Sequence, residues 1–121
     1  MKKRKNILLV EDEAIIAMHL GVEIKKAGYH LSDHVSTGEE AITSARHFKP
    51  DLILMDIRLS GPMDGLTAAK IIKDEMNIPS VIISGYNHHF STELPNSLFQ
   101  YLPKPVDFDK LNRIMEGIFS A

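Results

Sequence analysis

Five side chains able to do chemistry stand directly after apolar runs in this sequence. Glu11 and Asp12 follow "NILLV" (6–10), and Asp56 breaks the run "LILM" (52–55). Ser84 follows "VII" (81–83), and Lys104 comes after "LFQYL" (98–102) and one proline. Three carboxylates brought together repel one another unless something neutralises them. A hard divalent cation such as magnesium does so, taking one or two carboxylates and completing its shell with water and phosphate oxygens. A lysine supplies a point charge and a serine a donor for further phosphoryl oxygens. Asp56 is then left as the group to which a phosphoryl could be joined, since a carboxylate can act as nucleophile and form an aspartyl phosphate. No glycine-rich phosphate cradle occurs, so a bound nucleotide is not indicated.

These residues form a site only if the runs before them are neighbouring strands. "NILLV", "DLILM" (51–55) and "SVIIS" (80–84) are short apolar runs, the signature of strands buried on both faces. "LSDHVS" (31–36) is a partly polar strand suited to an edge, and "LFQYL" is a further strand. Segments of helical period lie between them. Ile16, Leu20, Ile24 and Ala27 share one face before Gly28, and Thr37 and Glu40 have capping-box spacing ahead of Ala41, Ala45 and Phe48. A helix from about Gly65 buries Leu66, Ala69, Ile72 and Met76. Asp107 caps a last helix whose stripe is Phe108, Leu111, Met115 and Ile118. The segment 86–97, "YNHHFSTELPNS", carries a proline and no apolar stripe, so a fourth helix there is expected to be short or irregular.

Strands alternating with helices predict right-handed crossovers and an α/β, doubly wound, five-stranded parallel sheet. Ligands of such sheets bind outside the carboxyl ends of the strands, where the order reverses. In the order 2-1-3-4-5 the reversal lies between the first and third strands, which sets Glu11 and Asp12 beside Asp56. Taken singly, an acidic pair also suits a helix start, and Ser84 and Lys104 are ordinary loop residues. Their coincidence at one edge favours a site.

The bulk composition agrees. The chain has 121 residues, enough for one core, and a net charge of −2, which speaks against a protein held to nucleic acid by phosphate contacts. "KKRK" (2–5) is the one basic cluster and reads as a solvated lead-in. The absence of cysteine removes disulfide, thiol and thiolate-metal chemistry. No apolar run is long enough to span a membrane, and "ILLV" meets "EDE" too soon for a signal peptide, so a cytoplasmic protein is expected.

In order and spacing, "LLVEDE", "LILMDIRL", "MDGL", "VIISG" and "YLPKP" resemble the receiver domains of two-component response regulators, over nearly the whole chain. The resemblance implies a flavodoxin-like fold and one receiver domain over 1–121, ordered from about 5 to 120. It makes Asp56 the phosphoacceptor and Glu11 and Asp12 the acidic pair, with Asp12 the more direct ligand to Mg2+ or Mn2+. The backbone carbonyl of Arg58 would be a further metal ligand. Ser84 would be the switch hydroxyl, Tyr101 the switch aromatic and Lys104 the phosphate-binding lysine, with a cis bond to Pro105. Arg58 and Tyr86 match positions that govern phosphate lifetime. The implied donor is a phosphohistidine on a sensor histidine kinase or a histidine phosphotransfer protein, and the implied role is a conformational switch rather than a conventional enzyme.

Two features depart from the pattern. "DIRLSGPMDG" holds one residue more than the common form, so its loop geometry is not carried over. The segment 86–97 lacks the usual amphipathic helix, so no dimer or output surface is carried over either. His88 and His89, adjacent in a polar segment, read as solvated, and Met63 as packing filler. A hydrolase with Asp56 as nucleophile would need an acid–base carboxylate just after it, where Ile57 and Arg58 stand. A receiver-like interaction module that works without phosphorylation is the remaining alternative. No effector follows the last helix, which fits a stand-alone receiver or a piece of a longer regulator or hybrid kinase.

Overall fold

Along the first strand, β1 (Asn6–Val10), Ile7 and Leu9 pack into one hydrophobic core while Leu8 and Val10 pack into another. The same alternation runs through β3 (Leu52–Asp56) and β4 (Ser80–Ser84), so both faces of the central strands are dry. That explains why these strands appear in sequence as unbroken apolar runs. Fully burying each such side chain contributes roughly 1.5–3 kcal/mol relative to exposing it.

The computed structural model describes residues 4–85 and 99–120. Beside the three central strands it contains β2 (His30–Val35) and β5 (Gln100–Pro103), all parallel, in the order β2-β1-β3-β4-β5. The helices are α1 (Ala14–Lys26), α2 (Gly38–Phe48), α3 (Gly65–Met76) and α4 (Phe108–Ser120). One core joins the sheet to α2 and α3 through Ala41, Ala45, Ala68, Ala69 and Ile72. The other joins it to α1 and α4 through Ala17, Leu20, Ile24, Leu111 and Met115. This is the doubly wound, flavodoxin-like arrangement expected, with the partly polar β2 at an edge. Among the described residues no helix is long and apolar enough to cross a membrane.

Local signals act as read. The Thr37 hydroxyl accepts from the Glu40 amide at 3.1 Å and donates to Glu40 Oε1 at 3.1 Å, and Asp107 Oδ1 accepts from the Asp109 amide at 3.0 Å. The structure also corrects several side chains. Phe48, expected on the buried stripe of α2, is 45% exposed because it is the last residue of the helix and lies outside the core that Ala41 and Ala45 enter, its ring edge-on to His47. Ala27 is exposed as the C-cap of α1, and Asp51 stays outside β3, its carboxylate accepting from the Asn6 amide at 2.7 Å. The expectation of a short helix over 86–97, with Tyr86, His88 and His89, lies outside the described residues.

Candidate functional site

The sheet register brings the acidic residues together. Val10 pairs with Met55, so the next residue of each chain segment, Glu11 and Asp56, lies side by side just past the strands. Asp56 in turn pairs with Ile83, and Ser84 with Pro103, which delivers Ser84 and Lys104 to the same edge. Backbone bonds extend this stitching beyond the strands. The Ile57 amide donates to the Ile83 carbonyl at 2.9 Å, and the Lys104 amide to the Ser84 carbonyl at 2.7 Å. His34 Nε2 bonds the Glu11 carbonyl at 2.9 Å, which makes that nitrogen the protonated one.

One oxygen each of Glu11, Asp12 and Asp56 lies within 4.8 Å of the others. Glu11 and Asp56 are buried and Asp12 is exposed. Asp56 Oδ1 accepts from the Arg58 amide at 3.2 Å, while Oδ2 accepts from Lys104 Nζ at 3.1 Å. Lys104 Nζ also faces Glu11 Oε1 at 3.5 Å. Glu11 Oε2 accepts from the Glu13 amide at 3.1 Å, and Asp12 Oδ2 from the Ser60 hydroxyl at 3.1 Å. Lys104 precedes Pro105 through a cis peptide bond, as expected.

The electrostatics follow from burial and from the excess of carboxylates. Burial pushes the Glu11 carboxyl up to about 7, and neighbouring Asp56 acts in the same direction. Burial by itself would pull the Lys104 ammonium down, but Asp56 and Glu11 outweigh it and the group is raised. Tyr101 packs half-buried against the α2–α3 core, and burial raises its phenol above the ordinary value. Ser84 is buried at the end of β4.

The chemistry of this donor set fits a hard divalent cation. Every side-chain donor is a carboxylate oxygen, and three such groups against one lysine leave two uncompensated charges when all are ionised. Glu11 Oε1 is buried without a hydrogen bond and is aimed into this cluster. An open cavity of about 470 Å³, lined by Asp12, Asp56, Arg58, Gly85 and Lys104 among others, lies over the carboxylates. It shares Ile16, Gly85 and Lys104 with an apolar cavity of about 510 Å³ walled by Ile15, Val106 and Phe108.

Two residues that shape the site were not singled out from sequence. Gly65 opens α3 so close to β3 that a Cβ there would overlap the Asp56 carbonyl. "MDG" is a visible motif, but nothing in it says that the glycine packs on the aspartate backbone. Ser60 reaches Asp12 across 48 residues of chain, a contact without any local signal.

The chain matches the family model described as "Response regulator receiver domain" over residues 7–116. It is 30% identical over 109 residues to the transcriptional regulatory protein PdtaR of Mycobacterium tuberculosis, covering 88% of this chain and 53% of that protein. It is 36% identical over 109 residues to the positive alginate biosynthesis regulatory protein of Pseudomonas aeruginosa, covering 88% of this chain and 44% of that one. The chain thus spans about half the length, or less, of these curated relatives. Among solved structures, the signal receiver domain of a modulated diguanylate cyclase from Desulfovibrio desulfuricans superposes with a TM-score of 0.88 at 30% identity, covering 98% of this chain and 95% of that one.

Proposed function

Because the chain belongs to the response regulator receiver domain family, signalling switches rather than conventional enzymes, we propose that it takes a phosphoryl group from a phosphohistidine onto Asp56. The donor is a sensor histidine kinase or a histidine phosphotransfer protein, and residues 1–121 act as one receiver domain in the cytoplasm. Carrying this reading is the charge imbalance of the site, three carboxylates converging on one lysine at the carboxyl edge of the sheet. Glu11, Asp12, Asp56 and the Arg58 carbonyl would hold Mg2+ or Mn2+. When bound, that ion neutralises charge on the nucleophile and on the transferring oxygens.

The residues of the chain do the rest by position and charge. One Asp56 oxygen attacks phosphorus in line, forming the O–P bond of an acyl phosphate. The N–P bond of the phosphohistidine breaks, and its electron pair returns to the imidazole. Lys104, paired with Asp56 and Glu11 in the resting site, turns its ammonium to a phosphoryl oxygen. Ser84 donates to another oxygen and Tyr101 turns inward behind it, which biases the domain between two arrangements. Water then cleaves the acyl phosphate and resets the switch. Ile15, 82% exposed on α1 at the wall of the apolar cavity, and Met18, 70% exposed one turn further along the same helix, support docking of the donor next to the site.

The test is intact mass after incubation with acetyl phosphate and magnesium. Gain of one phosphate by the wild type, absent from Asp56→Asn and abolished by chelator, is the expected result. No gain under any donor, with metal present, would favour the interaction module that works without phosphorylation.

A further inference from the structure

We propose that Ser60 is a positioning residue for the metal site, its hydroxyl holding the Asp12 carboxylate in the cleft and so setting the affinity for the divalent cation. The inference rests on the proposed function and deepens it with a contact that reading does not use. Glu11 and Asp56 are buried and anchored by the Glu13 and Arg58 amides. Asp12 is exposed, and among the described residues its side chain makes one hydrogen bond, from Ser60 Oγ to Oδ2 at 3.1 Å. Without that bond, repulsion from two neighbouring carboxylates and the freedom of an exposed side chain both favour Asp12 turning outward to water.

Ser60 is itself fixed. It forms a parallel bridge with Thr37, the N-cap of α2. Gly61 takes the left-handed conformation with φ of 88°, which a side chain would resist. Met63 then lies against Gly38 so closely that a Cβ on that glycine would come within 3.0 Å of it. Asp64 closes the loop by accepting from the Thr67 amide at 2.8 Å at the start of α3. The loop between β3 and α3 therefore crosses to α2 and returns, pinned on both sides of Ser60. Its hydroxyl is presented to Asp12 by the fold before any ligand arrives, so the ordering of Asp12 is not left to the binding step.

Metal binding to the unphosphorylated protein tests this directly. Metal-free wild type, Ser60→Ala and Ser60→Thr are titrated with Mn2+, following free ion by electron paramagnetic resonance, and with Mg2+ by calorimetry. Ser60→Ala is expected to bind about tenfold more weakly, the scale on which hydrogen-bond partners of metal ligands act. Ser60→Thr, which keeps the hydroxyl at an exposed position, restores affinity to within about threefold. Equal or tighter binding by Ser60→Ala overturns the proposal, as does a Thr variant as weak as Ala. Failure of the wild type itself to bind either ion overturns the metal reading of the site, and this proposal with it.

Discussion

Lys104 Nζ stands 3.1 Å from Asp56 Oδ2, joining residues 48 apart in sequence across the carboxyl edge of β3, β4 and β5. The lysine meets both buried carboxylates of the cluster, Asp56 at 3.1 Å and Glu11 at 3.5 Å. Its two possible tasks, holding the cluster together and holding a phosphoryl oxygen, make opposite demands on the site.

Replacing the lysine separates them. Lys104→Met is expected to lower the rate of phosphate uptake from acetyl phosphate at least about a hundredfold, the scale for losing one preorganised charge at a transferring group. Divalent metal binding should be unchanged or tighter, because removing a cation deepens the negative potential felt by the incoming ion. Weaker metal binding in this variant would show that Lys104 mainly shapes the carboxylates.

Glu11 is expected to make metal binding depend on pH. Its carboxyl, raised by burial to about 7, holds a proton that the cation must displace. Apparent Mg2+ affinity should therefore climb between about pH 6 and 8 and level off above that range. The metal-free domain should show the reverse in stability. A carboxyl raised from 4.5 to about 7 favours the folded state below the ordinary value, and that contribution is lost as pH rises through about 7. Glu11→Gln should flatten both profiles, as read by calorimetry and by urea melts at several pH values.

Gly65→Ala sets two effects against each other. Alanine is the better helix former by about 1 kcal/mol. The added Cβ, however, would overlap the Asp56 carbonyl, which is backbone in a fully buried strand and cannot step aside. The steric effect should win, destabilising the domain by about 2–4 kcal/mol in urea unfolding and slowing phosphate uptake through displacement of Asp56. A neutral or stabilised variant would mean that α3 can shift away from β3.

The exposed face of α1 allows docking to be tested apart from chemistry. Ile15→Asp or Met18→Asp places a charge on a side chain that is 82% or 70% exposed, so the fold should tolerate it. Uptake from acetyl phosphate should stay within about twofold, while transfer from a phosphohistidine protein should fall tenfold or more, the scale for losing an apolar anchor. Equal transfer from both donors would place the docking surface elsewhere.

Much of this arrangement could be read from residue order because the physics behind it is local or periodic. Strands buried on both faces must be apolar throughout, so β1 and β4 occupy the stretches quoted from sequence. The caps at Thr37 and Asp107 carry their own signatures. Convergence of Glu11 and Asp56 follows from parallel topology and its reversal between β1 and β3. What stayed hidden depends on where elements end or cross. Helical period assigns Phe48 to a stripe but cannot say that the core ends before the helix does. The Ser60–Asp12 bond and the seat of Gly65 on Asp56 are made by a loop whose path no local pattern encodes.

The central claim is that Asp56 carries the phosphoryl group, and chemical trapping tests it most directly. The protein is incubated with acetyl phosphate and magnesium, reduced with borohydride, digested and sequenced by mass spectrometry. Reduction of an aspartyl phosphate leaves homoserine, and the structure predicts it at position 56 and nowhere else. Homoserine at position 12, or phosphate retained on Ser84 or a histidine with Asp56 unmodified, would contradict the account.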